Sequence, residues 1–344
     1  MFGHGRRSGP CYDPADYMQA HRNDPVLMFR SERRPAKIVL ILSSLLILAA
    51  LVFAPLLIVA RVMPGWYPVQ DVEDARMARF PEGTIRYQEA GEGDTVILLL
   101  HGFNAHLGQW ERVWRELDRC ACRRIRIDIP GFGQSDWRAD DFDLEQQSAR
   151  IVALLDRLGV RQVAVAGTSM GGSIAAWMAA RDPERVSHVV LMSPSGFPGS
   201  LTYPGLFGKL VRPGPLNGAA TWIARTRLYS KLFPRSRALQ ALTVTASYGA
   251  PWEAALAGIR APTLVLWSRQ DKTANPMAAE RVRAAIPDSA LVWLDEATGH
   301  SIPTERPELA AQAITLLIQG TSPGQVAEAL PPDLWRPGER PHTP

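Results

Sequence analysis

Cysteine is nearly absent from this chain: among 344 residues there are three, Cys11, Cys120 and Cys122. Three thiols are too few for a metal site, and with one residue between them Cys120 and Cys122 stand too close for an easy disulfide. Cysteine usage therefore assigns no compartment. A lysine- or arginine-rich tract with base-stacking aromatics is also missing, and the net charge is only +4, which argues against nucleic acid as a partner. No internal repeat is apparent. The most local absence is of acid. From Gly196 through Trp252 there is no Asp or Glu, while Lys209, Arg212, Arg225, Arg227, Lys231, Arg235 and Arg237 are interleaved with Phe197, Tyr203, Phe207, Trp222, Tyr229 and Phe233.

Charge of either sign is missing from Ile38 to Ala60, a run of 23 residues broken only by Ser43, Ser44 and Pro55. At about 1.5 Å per residue it reaches roughly 35 Å, enough for a hydrocarbon core of about 30 Å, so a transmembrane helix is expected over 38–60. A cleaved signal peptide fits less well. The 37 residues before the run are long for such a leader, the run exceeds an ordinary signal core, and no A-x-A site follows. Arg30, Arg33, Arg34 and Lys37 precede the run and only Arg61 follows closely, which sets the amino terminus in the cytoplasm. The rest of the chain would then lie in the periplasm or outside the cell.

What is present is 46% hydrophobic content, ample for one large domain with appendages. Apolar runs near 84–89, 95–100, 124–129, 162–167, 187–192, 261–267 and 290–294 are strand candidates, and helical periodicity occurs near 109–118, 144–158, 171–181, 276–285 and 307–318. Such alternation predicts an α/β domain with a mostly parallel central sheet and helices on both faces. The expected organisation is a cytoplasmic segment 1–37, the span 38–60, a linker 61–80, a core in two parts at 81–195 and 261–319, a helical cap inserted at 196–260, and an irregular tail at 320–344 rich in proline and glycine.

Gly167-Thr168-Ser169-Met170-Gly171 falls between the run Gln162–Ala166 and the small-residue pattern Gly172–Trp177. A serine on so tight a strand-to-helix turn needs strained backbone angles, and the flanking glycines remove Cβ atoms that would collide. Asp271 ends the polar turn after the run 261–267, and His300 follows Gly299 in the loop after 290–294. Nucleophile, acid and base thus occur in that order, each past the carboxyl end of a separate strand. Asp295 and Glu296 are rival acids. The plainer alternatives are a capping role for Ser169 or His300 and a surface-turn role for Asp271. An oxyanion hole needs backbone donors from two strand ends, which selects the N–H groups of Met170 and Phe103, with Asn104 as the fallback for the second.

His101-Gly102-Phe103, Asp128-Ile129-Pro130-Gly131-Phe132-Gly133-Gln134-Ser135-Asp136, the turn at Ser169, Asp271 and Gly299-His300 together resemble the α/β-hydrolase superfamily, in its compact capped members. The resemblance covers roughly 80–319. It implies that Ser169, Asp271 and His300 form a catalytic triad, that Met170 and Phe103 furnish the oxyanion hole, that His101 and the 128–136 stretch are structural, and that no cofactor or metal is required. The expected activity is that of a membrane-anchored serine esterase or lipase acting on a small-molecule ester or lipid-like substrate through an acyl-enzyme. Carbon–carbon bond hydrolysis and cofactor-free perhydrolysis on the same triad are the alternatives, as is a ligand receptor without turnover. The basic, aromatic-bearing cap is either a solvated lid face whose acids lie elsewhere or a surface that touches anionic headgroups, at roughly 1 kcal/mol per basic residue near the surface.

Overall fold

The computed structural model describes residues 37–47, 50, 71–137, 143–197, 215, 218, 222, 248–295 and 297–330. The chain divides into two units, residues 1–55 and residues 56–344. In the first, residues 37–47 are helical. Their apolar side chains are exposed, Leu40 and Leu46 at 69% each. Ser43 and Ser44 fold their hydroxyls onto the carbonyls of Val39 and Leu40 at 2.5 and 2.8 Å, so both are satisfied within the helix. Beyond Ile47 the expected span lies outside the described residues, apart from residue 50. Among the described residues no helix is long and apolar enough to cross a membrane.

In the second unit the strands are β1 (Arg76–Phe80), β2 (Gly83–Ala90), β3 (Val96–Leu100), β4 (Arg123–Ile127), β5 (Asp136–Trp137), β6 (Val163–Thr168), β7 (Val186–Met192), β8 (Thr263–Ser268) and β9 (Ser289–Leu294). They form one sheet in the order β1-β2-β4-β3-β6-β7-β8-β9, with β5 beside β2. Pairing from β4 through β9 is parallel, and β2 runs antiparallel to β1, β4 and β5. The helices are α1 (Glu111–Glu116), α2 (Leu144–Arg157), α3 (Met170–Arg181), α4 (Ala250–Leu256), α5 (Ala278–Ala285), α6 (Ile302–Glu305), α7 (Pro307–Ile318) and α8 (Pro323–Ala329).

Strand β3 shows why the sheet forms. Val96, Leu98 and Leu100 point into one core with Ile151 of α2, Ile174 of α3, Trp252 of α4 and Val282 of α5. Ile97 and Leu99 point into the other, with Val113 of α1, Ile314 of α7 and Val326 of α8. A strand covered on both faces must be apolar throughout, and each buried Leu contributes about 1.5–3 kcal/mol. Strand β4 solves its second face differently. Ile125 and Ile127 are buried in the first core, while the guanidiniums of Arg124 and Arg126 lie 4.8 and 4.7 Å from the Trp114 ring centre. Because β4 and β6 flank β3 on opposite sides, the connections after β3 and β6 diverge and leave a crevice at their carboxyl ends.

Four segments differ from expectation. Arg76–Phe80, within the expected linker, is edge strand β1; only Ala78 is buried there, so the hydrophobic alternation is faint. The expected tail continues as α8, which starts at a reciprocal capping box between Ser322 and Gln325. The last part of the expected cap is α4, with Trp252 in the first core, while 198–247 lies outside the described residues except for 215, 218 and 222. Finally, Cys120 and Cys122 are joined as a disulfide. The chain bends between a 3-10 turn ending at Arg119 and β4, which holds the two Cα atoms 5.2 Å apart, within disulfide range despite the one-residue spacing.

Candidate active site

Ser169 joins β6 to α3 with φ 52° and ψ −118°, a conformation that costs about 1–3 kcal/mol and persists only when its surroundings enforce it. They do. Its N–H donates to Met192 O at 2.9 Å, and its carbonyl accepts from the Ser173 N–H at 3.0 Å and the Ser195 N–H at 3.3 Å. The glycines on either side are sterically required. A Cβ on Gly167 would lie 2.3 Å from Gly171 O, and one on Gly171 would lie 2.2 Å from Leu100 O and 2.5 Å from His101 O. The Ser169 hydroxyl makes no capping bond to α3, which removes the capping alternative.

Leu100 and His101 belong to the neighbouring strand end, so this close approach brings the 101–103 turn against the serine. A Cβ on Gly102 would sit 3.5 Å from Ser169 Cβ. The turn is fastened by two side chains. Gln109 Oε1 accepts the Gly102 N–H at 2.9 Å. His101 Nε2 accepts the Ile129 N–H at 2.9 Å, so its proton is on Nδ1, which donates to Gly102 O at 2.7 Å. His101 is fully buried and neutral, a structural member of the turn. Among the described residues the Phe103 N–H donates to no protein group, and the Met170 N–H belongs to the first turn of α3, whose donors have no partner inside the helix. Asn104 follows with φ 59°.

Asp271 and His300 meet across the carboxyl ends of β8 and β9. His300 Nδ1 lies 2.7 Å from Asp271 Oδ2, while Asp271 Oδ1 accepts the N–H groups of Thr273 and Ala274 at 2.8 and 2.7 Å. A carboxylate held in this way fixes the imidazole with its proton on Nδ1 and its lone pair on Nε2. Asp295 is occupied elsewhere. It binds Arg306 and the Thr298 hydroxyl, and Arg306 first and Thr298 second hold its carboxyl below the ordinary carboxylate range. Glu296 lies outside the described residues. Ser169 lies at the same carboxyl end of the parallel strands as the Asp271–His300 pair, but among the described residues no hydrogen bond joins Ser169 to His300.

Several supporting residues carry no motif. Glu305 accepts the N–H groups of Gly299 and Ser301, the second at 3.1 Å, and so brackets His300 from both sides. Its only sequence signal is an acid five residues after the histidine. Asp128, fully buried, accepts from Leu107 N at 2.6 Å and Gln134 N at 2.7 Å and pairs with Arg86 at 3.7 Å. It ties the turns at Leu107 and Gln134 to Arg86 of β2.

The model of the α/β-hydrolase fold family matches residues 95–241. The chain is 31% identical to a 2-hydroxy-6-oxononadienedioate/2-hydroxy-6-oxononatrienedioate hydrolase of Burkholderia vietnamiensis, over 59% of this chain and 78% of that protein. This chain belongs to the α/β-hydrolase family. It is a hydrolase. It is also 36% identical, over 33% of its length, to a dihydrolipoyllysine-residue acetyltransferase component of an acetoin cleaving system from Cupriavidus necator, of which it spans only 30%. Among solved structures it resembles a bacterial membrane phospholipase A, with 27% identity and a TM-score of 0.54 over 83% of this chain and 97% of that one.

Proposed function

We propose that this α/β hydrolase cleaves carboxylic esters with Ser169 as nucleophile. The observation that carries the reading is the 2.7 Å contact of His300 Nδ1 with Asp271, at the same carboxyl end of the parallel strands where Ser169 stands strained against Gly102. His300 Nε2 takes the hydroxyl proton as Ser169 attacks the carbonyl and returns it to the departing alcohol; Asp271 holds the resulting imidazolium. The N–H groups of Met170 and Phe103 receive the oxyanion, each contributing about 3–4 kcal/mol to the transition state. Water then releases the acid.

The amino-terminal helix supports a membrane-anchored enzyme. Its exposed Ile38–Ile47 surface and its internally satisfied serines suit lipid contact, and the likeness to a membrane phospholipase A favours a lipid-like ester. The Cys120–Cys122 disulfide favours an oxidising compartment for the domain, periplasmic or extracellular, with the amino terminus in the cytoplasm. A second reading, carbon–carbon bond hydrolysis, is favoured by the 31% identical relative. The test uses the detergent-solubilised full chain. A fluorophosphonate probe should label the wild type and spare Ser169→Ala, and a nitrophenyl ester series with a phospholipid arm should give the chain-length preference. Equal labelling of both proteins refutes the nucleophile, and turnover of dienoate ketones without esters selects the second reading. Binding of the 63–344 domain to neutral and anionic vesicles at low and high salt tests the cap contact, and equal binding to both sinks it.

A further inference from the structure

A buried polar chain runs from the start of α4 to the back of the nucleophile turn. The Tyr248 hydroxyl lies 2.6 Å from Ser195 Oγ, which lies 2.9 Å from Ser173 Oγ. Ser173 Oγ also meets two carbonyls, that of Ser195 and, at 3.2 Å, that of Ser169. Carbonyls only accept and a hydroxyl has one proton to give, so Ser173 donates to a carbonyl and accepts from Ser195. Ser195 has then given its proton and accepts from Tyr248. The direction of all three bonds is fixed. Ser173, Ser195 and Tyr248 are each less than a tenth exposed, so water does not compete.

The surroundings make the chain rigid. Trp252 Nε1 donates to Ser173 O at 3.3 Å, and its ring fills the space where a Cβ on Gly196 would stand, 2.6 Å away. Burial raises the Tyr248 phenol above its ordinary value, with Ser195 and Ser173 acting the other way, so the hydroxyl remains a donor. The Ser173 proton faces two carbonyls, Ser195 O as the nearer acceptor and Ser169 O at 3.2 Å, and the Ser195 N–H itself donates to Ser169 O at 3.3 Å, so the chain reaches the strained residue through both serines.

We propose that Tyr248 is a positioning residue: its hydroxyl fixes Ser195, whose backbone N–H binds the Ser169 carbonyl directly and whose side chain orders Ser173 beside that carbonyl, and it thereby holds the attack geometry of the serine. This rests on the assignment of Ser169 as nucleophile. Tyr248 enters the core just after the segment inserted between β7 and β8, so the same contact links the return of that insertion to the reacting residue.

The experiment compares wild type, Tyr248→Phe, Ser195→Ala and the double variant as detergent-solubilised full chains. Readouts are nitrophenyl butyrate kinetics, fluorophosphonate labelling rate, pH profile and thermal midpoint. Tyr248→Phe is expected to lower kcat and the labelling rate together by about tenfold, with KM within twofold and the acid limb of the profile unmoved, since the Asp271–His300 pair is untouched. The double variant should be no slower than the slower single, because both act through one chain. Unchanged kcat, or losses that multiply, overturns the proposal, as does a lowered midpoint at full kcat. If Tyr248→Phe does not fold, Ser195→Ala alone decides by the same criteria. No labelling of wild-type Ser169 overturns the nucleophile and this proposal together; normal wild-type labelling with indifferent variants overturns this one alone.

Discussion

Gly171→Ala is the most direct perturbation of the turn that carries Ser169, the proposed nucleophile. The added Cβ would lie 2.2 Å from Leu100 O, 2.5 Å from His101 O and 2.6 Å from Leu100 C, all backbone atoms at the end of β3. Ordinary carbon–oxygen contact needs about 3.3 Å, so the start of α3 and the 101–103 turn must separate by about 1 Å. Those are the two walls that carry the Met170 and Phe103 N–H groups. Overpacking of this kind costs about 1–3 kcal/mol of stability. Loss of alignment of one oxyanion donor costs about 10²–10³ in kcat. Gly172→Ala is the control, because its Cβ would be 3.1 Å from Gly167 O and Pro194 Cβ and needs only a few tenths of an ångström. Thermal midpoint and ester kcat are measured for both. The expected result is a folded Gly171→Ala with kcat down by at least a hundredfold and a Gly172→Ala within about fivefold of wild type. A Gly171→Ala variant with kcat within threefold of wild type and an unchanged midpoint would refute both the close approach and the assignment of the hole.

Asp271→Asn keeps the shape of the side chain but removes the charge facing His300 Nδ1 and lets the wrong tautomer form; kcat should fall by about 10⁴ with little change in midpoint. Glu305→Gln replaces one acceptor by a donor opposite the Gly299 or Ser301 N–H, which should cost roughly 1–3 kcal/mol in urea denaturation and lower kcat several-fold through His300. Asp295→Asn tests the ion pair with Arg306. Because the folded-state pKa is depressed, the pair stabilises above the ordinary carboxylate range and loses its contribution as pH falls through the lowered value. The variant should therefore be less stable than wild type by roughly 0.5–1 kcal/mol at pH 7, the discount reflecting partial exposure, and the gap should close as the pH falls through the lowered value.

The strand-end positions of Ser169 and Asp271 are legible in the sequence because each follows a run buried on both faces, and that of His300 because the half-buried β9 is still a continuous apolar run of Ala290 to Leu294. Glycines beside the serine are legible for the same kind of reason, since only hydrogen fits where two backbones nearly touch. Gln109, Glu305 and Arg86 are not legible. Each is an ordinary polar residue until folding sets it beside the backbone N–H or carboxylate it serves, in the case of Arg86 and Asp128 across 42 positions. Strand β1 escapes because it buries a single residue, and the Cys120–Cys122 bridge because spacing along the chain does not report how sharply the chain turns.

The inserted segment leaves and rejoins the domain through a narrow neck: the Gly249 N–H donates to Gly196 O at 2.8 Å. An insertion closed at its base can lengthen or change composition at small entropic cost, because closure entropy grows only with the logarithm of length. A segment closed at its base in this way is expected to be exchangeable. Grafting the corresponding segment from another member of the family between Phe197 and Tyr248 would alter what reaches Ser169 while leaving every strand pairing in place. The expected readout is a changed ester chain-length preference at an unchanged thermal midpoint.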